Sequence, residues 1–300
     1  MTPFAASRTM PADPVTELDF PTLRARLGRS GAFSGWRQAF PSSVDSSNRL
    51  VREMAAAAIS AGESPRAIVV AGEQSAGRGR RGTAWHSGAG DGLWFSLIVP
   101  ADGGLPEAPP ALAIAARLAA VLSEAGIPAA VKWPNDLYLD DGKLGGLLLE
   151  CFAIDGQRLW LAGVGINWRT PPAALPDGYR AVGLAEWSAT HAAGSSTRAT
   201  VALAARLVEV VAEVLCRPGS WTGWVDSLRR RHWLFAAAVE VRPASGGAYR
   251  GQAAEIGADG LLTVRLPDGT SRTVGPNDRV RPADGGAGVP EETTREFQGQ

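Results

Sequence analysis

Two lysines stand in a chain of 300 residues whose other 28 basic residues are all arginine. They are Lys132 and Lys143, eleven positions apart in the segment Val131–Gly146. An ammonium is a compact, rotatable point charge, whereas a guanidinium is a planar fork. Lysine in a chain that otherwise uses arginine therefore marks a site that does not accept the fork. The segment reads Lys132-Trp133-Pro134-Asn135-Asp136, then Lys143-Leu144-Gly145-Gly146 after a turn. Two cations and one carboxylate on adjacent short strands can surround a phosphate. Asp136 can hold Mg²⁺, a hard cation that takes carboxylate and phosphate oxygens. The plainer alternative makes Trp133 and Pro134 core and bend residues, with Asp136 paired locally to a lysine.

A second segment is Gly72-Glu73-Gln74-Ser75-Ala76-Gly77-Arg78-Gly79-Arg80-Arg81-Gly82-Thr83-Ala84-Trp85. Gly77, Gly79 and Gly82 match G-x-G-x-x-G, but the third glycine should open a helix whose N-terminus holds a pyrophosphate. No helical pattern follows here, and no Lys-Ser or Lys-Thr completes a P-loop. The glycines instead let backbone approach a ligand, while Arg78, Arg80 and Arg81 supply paired donors for phosphate or carboxylate. Such a loop is mobile when empty and can close over a bound anion; otherwise it is a solvated basic loop.

Two weaker segments add polar groups. Ser46-Ser47-Asn48 are good helix caps, and hydroxyls and amides at a helix N-terminus also suit a polar ligand. Gly163-Val164-Gly165-Ile166-Asn167 ends a strand where glycine permits close approach and the Asn amide can read a base edge. Asn48, Asn135 and Asn167 are three of only four asparagines.

The elements that must position these groups are legible in outline. Residues 1–15 and 283–300 read as loose polar tails, and two short elements fall between Thr16 and Phe40. A capped helix follows Asp45 and ends at Gly62. Ala67–Ala71 and Leu93–Val99 are strands on either side of the basic loop. A helix spans about Pro110–Ala125. Ala130–Trp133, Leu137–Leu139, Leu144–Phe152 and Arg158–Asn167 are strands. The turn Asp140-Asp141-Gly142 is expected to place its glycine at a positive φ, and Asp155-Gly156 is a second hairpin signal. A Pro-rich loop runs from about Arg169 to Gly183. Thr197–Cys216 is an amphipathic helix through Leu203, Leu207, Val210 and Val214, and Trp221–Trp233 reads as another. After Phe235 come short strands, Val239–Arg242, Tyr249–Ile256, Leu261–Leu266 and Ser271–Val274, which form a small antiparallel unit in the SH3-like size range. The division expected is a main unit over 16–234 and a small one over 235–282.

Composition excludes several classes. Hydrophobic residues are 45% and charged residues 20%, ordinary globular usage. The formal net charge is +0, so no global field draws the chain to nucleic acid or an acidic membrane. The longest apolar run, Ala111–Leu122, is broken by Arg117 and too short to cross a bilayer. Cys151 and Cys216 give no disulfide framework, and with three scattered histidines they make no zinc cluster. The expected class is a reduced, cytoplasmic globular protein.

Together the segments resemble the biotin–protein ligase family. The likeness rests on Asp45–Asn48, the Gln74–Trp85 loop, Lys132–Asp136, Lys143–Gly146 and Gly163–Asn167, in the family's order and spacing, and on the C-terminal β unit; it covers about residues 40–282. It implies an α+β fold with a mixed, largely antiparallel central sheet flanked by helices, related to class II synthetases, plus a C-terminal SH3-like barrel. It also implies a two-step reaction in which biotin and ATP give biotinyl-5′-adenylate and a lysine of a biotin carboxyl carrier domain then takes the biotin. Lys143, Arg80 and Asp136 would be catalytic, with Asp136 toward Mg²⁺. Ser46, Ser47, Asn48, Gln74, Arg78, Gly79, Arg80, Trp85, Lys143 and Gly146 would contact biotin. Arg78, Arg80, Lys132, Asn135, Lys143 and Asn167 would contact the nucleotide, with Asn167 facing adenine. The implied partner is a carboxylase carrier domain, without DNA or membrane, the chain being a monomer or weak homodimer. The chain departs from the family's usual pattern at Ser47, where threonine is common, at Thr83-Ala84 and at Gly145. No helix-turn-helix is legible before Asp45. Enzymes that transfer lipoate or octanoate and non-catalytic biotin sensors are the competing readings.

Overall fold

The computed structural model describes residues 18–101, 110–170, 180–191, 197–216, 228 and 231–283. The elements, in chain order, are α1 (Phe20–Leu27), β1 (Arg37–Ala39), α2 (Ser47–Ser60), β2 (Ala67–Ala71), β3 (Gly92–Pro100), α3 (Pro110–Glu124), β4 (Ala130–Lys132), β5 (Asp136–Leu139), β6 (Gly142–Ile154), β7 (Gln157–Asn167), α4 (Leu184–His191) and α5 (Thr197–Cys216). Then come β8 (Ala238–Arg242), β9 (Tyr249–Ile256), β10 (Leu262–Arg265), β11 (Ser271–Val274) and β12 (Arg279–Pro282).

The first seven strands form one sheet in the order β1-β2-β3-β7-β6-β5-β4. β1 and β2 run parallel and the other neighbours antiparallel. Apolar side chains cover both faces of its centre. Val51 and Ala55 of α2 pack against Val69, Ile98 and Leu161 on one face. The other face, through Ile68, Phe95, Leu97 and Val164, is covered by α3 and α5, with Leu23 and Leu27 of α1 in the same core. This burial on both sides explains why β2 and β3 read as continuous apolar runs rather than alternating ones. Ser96 alone interrupts the β3 run with a hydroxyl, and it is fully buried. The last five strands make a separate antiparallel sheet, β11-β10-β9-β8-β12. Strand β12 and the short β1 carry too few residues for an alternation to show, and α4 is only two turns long.

Two expectations change. The positive φ in the β5–β6 turn belongs to Asp140, at 48°, and not to Gly142. Aspartate tolerates the left-handed region because its short carboxylate can hydrogen-bond locally. Gly142 instead begins β6, where an added Cβ would lie 2.8 Å from the Val182 Cβ. The Asp155-Gly156 hairpin does take positive φ at both residues, 46° and 79°. The second change concerns Arg231–Trp233, the end of the helix expected over Trp221–Trp233. It is extended enough to bond β4: Val131 N–H donates to Arg231 O at 2.7 Å and Trp233 N–H to Val131 O at 2.9 Å. That pairing covers the edge of the large sheet. The rest of that expected helix, apart from Leu228, lies outside the described residues, as do both tails and most of the Pro-rich loop.

Candidate functional site

A cavity of about 190 Å³ opens between the α2 N-terminus, the basic loop and strands β5, β6 and β7. It gathers Ser46, Ser47, Asn48, Gln74, Arg78, Gly79, Arg80, Trp85, Asn135, Asp136, Lys143 and Gly146 on one wall system. These residues span a hundred positions of sequence. Sheet order explains the convergence, because β7 and β6 sit between β3 and β5 and carry the Gly163–Gly165 and Gly145–Gly146 backbones between the helix and the two-lysine hairpin. The cavity is also lined by Arg81, Thr83, Leu147, Leu148, Gly163, Val164 and Gly165. Leu147 and Leu148 were not readable as site residues, since leucine in a strand signals core.

One end of the cavity is neutral and hydrogen-bonding. Ser46 is the N-cap of α2, with an extended backbone at φ −154°, yet its hydroxyl makes no cap bond. Ser47 N–H donates to Gln74 Oε1 at 2.8 Å, and Gln74 Nε2 donates to Ser87 Oγ at 2.9 Å. Ser47 Oγ also lies 2.7 Å from Ser96 Oγ, and Ser96 donates to Asn48 Oδ1 at 2.5 Å. The capping role expected of Ser46-Ser47-Asn48 is thus replaced by contacts that tie the helix start to the sheet and the loop.

The other end is cationic. The basic loop folds back on itself: Gly79 N–H donates to Thr83 O at 2.8 Å and Trp85 N–H to Gly77 O at 2.9 Å. Arg81, at φ 56°, forms the tip. Arg80 Nη1 donates to Asn135 Oδ1 at 2.8 Å, and Asn135 Nδ2 in turn donates to Leu147 O at 2.6 Å. Arg80 also donates to Pro276 O, and Arg81 to Asn277 O, so the β11–β12 turn of the second sheet holds the tip from outside. Burial, and then the charge of Arg81, lower the Arg80 pKa, while Asp136 opposes them. Lys143 Nζ lies 2.9 Å from Asp136 Oδ2 and 5.3 Å from the Trp85 ring centroid. Trp85 lies against Gly165, where a Cβ would stand 2.5 Å from the indole Nε1. That Nε1 is buried without a hydrogen-bond partner. Four cations, Arg78, Arg80, Arg81 and Lys143, therefore line a cavity with one carboxylate, Asp136. An excess of positive charge in a partly closed site suits a polyanion such as a nucleotide triphosphate.

Two expected residues lie elsewhere. Lys132 is buried and is not among the residues lining the cavity, its Nζ 3.5 Å from the Tyr138 hydroxyl and beside the Tyr138 and Trp233 rings. Asn167, also buried, donates from Nδ2 to Lys143 O at 3.2 Å and so fixes the backbone of the cavity lysine.

Residues 44–167, which enclose every residue lining the cavity, match the model of the Biotin/lipoate A/B protein ligase family. This segment, less than half of the chain, is similar to that family. Its curated relatives include the bifunctional ligase/repressor BirA of Bacillus subtilis (strain 168), 40% identical over 113 residues, which is 37% of this chain and 35% of that protein. The biotin–[acetyl-CoA-carboxylase] ligase of Mycobacterium tuberculosis is 34% identical over 161 residues, 52% of this chain and 58% of that protein. The match thus spans about a third of the length of the first relative and less than two thirds of the second. In three dimensions the likeness extends further. The structure of biotin protein ligase from Aquifex aeolicus in complex with biotin and ATP superposes with a TM-score of 0.65 at 20% identity, covering 82% of this chain and 99% of that one. At that identity it establishes the shared fold: an α+β unit with a mixed, helix-flanked central sheet and a second antiparallel sheet, as expected of a biotin/lipoate ligase family fold with a barrel-like C-terminal part. Among the described residues no helix is long and apolar enough to cross a membrane.

Proposed function

We propose that this chain is an ATP-dependent biotin–protein ligase that forms biotinyl-5′-AMP and transfers biotin to a lysine of a biotin carboxyl carrier domain in the cytoplasm. The observation that carries the reading is that one cavity joins a neutral hydrogen-bonding end, at Ser46, Ser47, Asn48 and Gln74, to a cationic end, at Arg78, Arg80, Arg81 and Lys143. A substrate with a polar neutral head and a carboxylate tail, meeting a nucleotide triphosphate, needs both ends.

In this reading the biotin carboxylate attacks the α-phosphorus of ATP and pyrophosphate leaves. Two anions must approach, so catalysis is mainly positioning and charge neutralisation. Lys143 bridges the carboxylate and the α-phosphate. Arg78 and Arg80 hold phosphate oxygens, and Arg80 is oriented by Asn135. Trp85 and the loop cover the mixed anhydride and keep water from hydrolysing it. The carrier lysine then attacks the acyl carbon and AMP leaves. Asn167 acts through the Lys143 backbone, and Lys132 through packing outside the cavity lining.

A magnesium ion fits the residues in one way. Asp136 is the carboxylate on the cavity wall, and among the described residues no group of three or more His, Cys, Asp and Glu side chains could hold a metal. Mg²⁺ commonly takes one or two carboxylates plus substrate phosphate oxygens. Asp136 would hold an ion that arrives with the nucleotide, and the ion would supply further neutralisation of phosphate charge.

The test is pyrophosphate exchange into ATP, run with biotin, with lipoate and with no acid. Exchange with biotin alone is expected. Exchange with lipoate alone would overturn the substrate, and exchange with neither would overturn the adenylation step.

A further inference from the structure

We infer that Trp187 on α4 is a positioning residue for Lys143: its indole fastens the segment Arg180–Val182 to the β5–β6 hairpin, and that segment holds the Lys143 backbone. The inference rests on the adenylating reading above and adds a residue that acts on the reaction without lining the cavity.

The large sheet alone does not fix Lys143. Strand β7 pairs with β6 from Gly145 onward, so Lys143 lies beyond the end of that ladder. On its other side β6 is irregular: Leu137 opposes Gly145 but Tyr138 opposes Lys143, which leaves Leu144 as an extra residue. Such a bulge disrupts the ladder locally and re-aims a side chain. The segment Arg180–Val182 takes the place that β7 leaves. Lys143 N–H donates to Arg180 O at 2.8 Å, and Val182 N–H donates to Lys143 O at 3.0 Å. From there the lysine stem runs over Gly146, where a Cβ would lie 3.6 Å from Cε and 3.7 Å from Nζ, and ends on Asp136.

The segment is tied down a second time. It leads directly into α4, where the buried Trp187 donates from Nε1 to Asp140 Oδ2 at 2.9 Å. Asp140 is the left-handed residue of the β5–β6 turn, and its carbonyl accepts from Trp233 Nε1 at 2.8 Å. Two indoles thus grip the turn that joins the Asp136 strand to the Lys143 strand. Arg180 also donates to Asp141 Oδ1 at 2.9 Å, but both side chains are exposed and such a pair adds little. The segment is therefore fixed to the hairpin by its backbone at Lys143 and by the Trp187 indole at Asp140. Loosening the second tie lets the first shift, and a displacement of about 1 Å at a reacting group costs up to about a hundredfold in rate.

The test is Trp187→Phe, which keeps an aromatic ring beside His191 and removes the N–H. Asp140 is exposed, so water can replace the lost donor and the fold should hold. The kcat of biotin-dependent pyrophosphate exchange should fall about five- to tenfold, with the KM for biotin and for ATP within about twofold of wild type. Asp140→Gly suits a positive φ and keeps the carbonyl for Trp233, and it should show the same loss. Asp140→Asn keeps an acceptor oxygen and should restore kcat. Trp187→Phe combined with Asp140→Gly should be no worse than either alone, because both delete one bond. Additive losses, an unchanged kcat in Trp187→Phe, or a raised KM for both substrates would each overturn the inference. A second readout follows from composition. With only two lysines, protein labelled with ¹³C at the lysine ε-carbon gives two ε-methylene signals, and Lys143→Ala identifies one of them. Trp187→Phe should move the Lys143 signal and leave that of Lys132 in place. If neither moves, or both move together with the melting temperature, Trp187 serves packing alone. This measurement needs no substrate. Absence of biotin-dependent exchange in wild type would overturn the ligase reading, and the lysine signals would still decide the role of Trp187.

Discussion

Lys143 Nζ sits 2.9 Å from Asp136 Oδ2, so the one lysine on the cavity wall is held by the one carboxylate there. Asp136 lies on β5 and Lys143 on β6, joined by the turn at Asp140. A compact ammonium reaches the acid and stays free to rotate toward an incoming anion, which a planar guanidinium does not. The pair keeps the lysine extended into the cavity until phosphate and carboxylate oxygens compete for it. Lys143→Ala should therefore reduce adenylate formation about a thousandfold or more. Lys143→Arg, which keeps the charge, should not restore it. Pyrophosphate exchange checks both, and near-normal exchange in Lys143→Ala would remove this residue from the reaction.

Arg80 joins three parts of the molecule: the loop that carries it, Asn135 on the cavity floor, and Pro276 of the second sheet. Arg80→Gly deletes both anchors and puts a more flexible residue at a loop tip that already has Gly79 and Gly82. The dissociation rate of preformed biotinyl-adenylate should rise about tenfold or more, in line with loss of charge-assisted hydrogen bonds. The rate is measured by chasing labelled adenylate with excess unlabelled biotin and ATP. Retention equal to wild type would mean that the loop does not cover the intermediate.

Most residues lining the cavity were legible by type, and the reason is chemical. Glycines, arginines and rare lysines stand out by type, and Lys143, Arg80 and Asp136 line one cavity. Lys132 carries the same rare type but its ammonium lies by Tyr138 and Trp233, outside the cavity lining. Its direction depends on which face of the short β4 is turned inward, and three residues show no alternation to reveal it. Ser96 was hidden for the opposite reason. A serine inside an apolar strand looks like a tolerated interruption until the helix start is seen packed on it. The β unit after Phe235 was visible through its Gly-containing turns, but β12 was not, because Arg279–Pro282 has one buried apolar residue, Val280. The helix expected at Arg231–Trp233 failed because backbone pairing with Val131 outweighs local propensity there.

Gly165 determines how closely Trp85 can approach the sheet. A Cβ there would lie 2.5 Å from Nε1 and 2.7 Å from Cε2 of the indole, a rigid ring with no far end to bend away. Gly165→Ala should push Trp85 off β7 and spoil the wall that Lys143 also faces, at an overpacking cost of about 1–3 kcal/mol. The partly exposed ring can move outward, so the cost should appear in KM for biotin and ATP more than in the melting temperature. Steady-state kinetics beside a thermal melt separate the two, and unchanged KM values would show that the Trp85 position does not matter to either substrate.

His232 should contribute to the pH dependence of stability. It is buried beside β4, its Nε2 has no hydrogen-bond partner, and burial lowers its pKa to about 4 from the ordinary 6.5. The folded chain thus keeps the ring neutral where the unfolded chain would protonate it. Between about pH 6.5 and pH 4 the unfolded state binds more protons, so stability rises with pH across that window. The contribution is complete above the unfolded value and is lost as pH falls toward the folded one; a shift of that size corresponds to about 3 kcal/mol. Urea midpoints measured from pH 7.5 to 4.5 should fall steeply for wild type. His232→Phe, which cannot take a proton, should lose less over the same range. Comparing the two cancels the carboxylates, including Asp19, Asp45, Glu240 and Asp268, whose lowered pKa values act at the acid end in both proteins. Parallel pH profiles for the two proteins would mean that His232 is not the group that titrates.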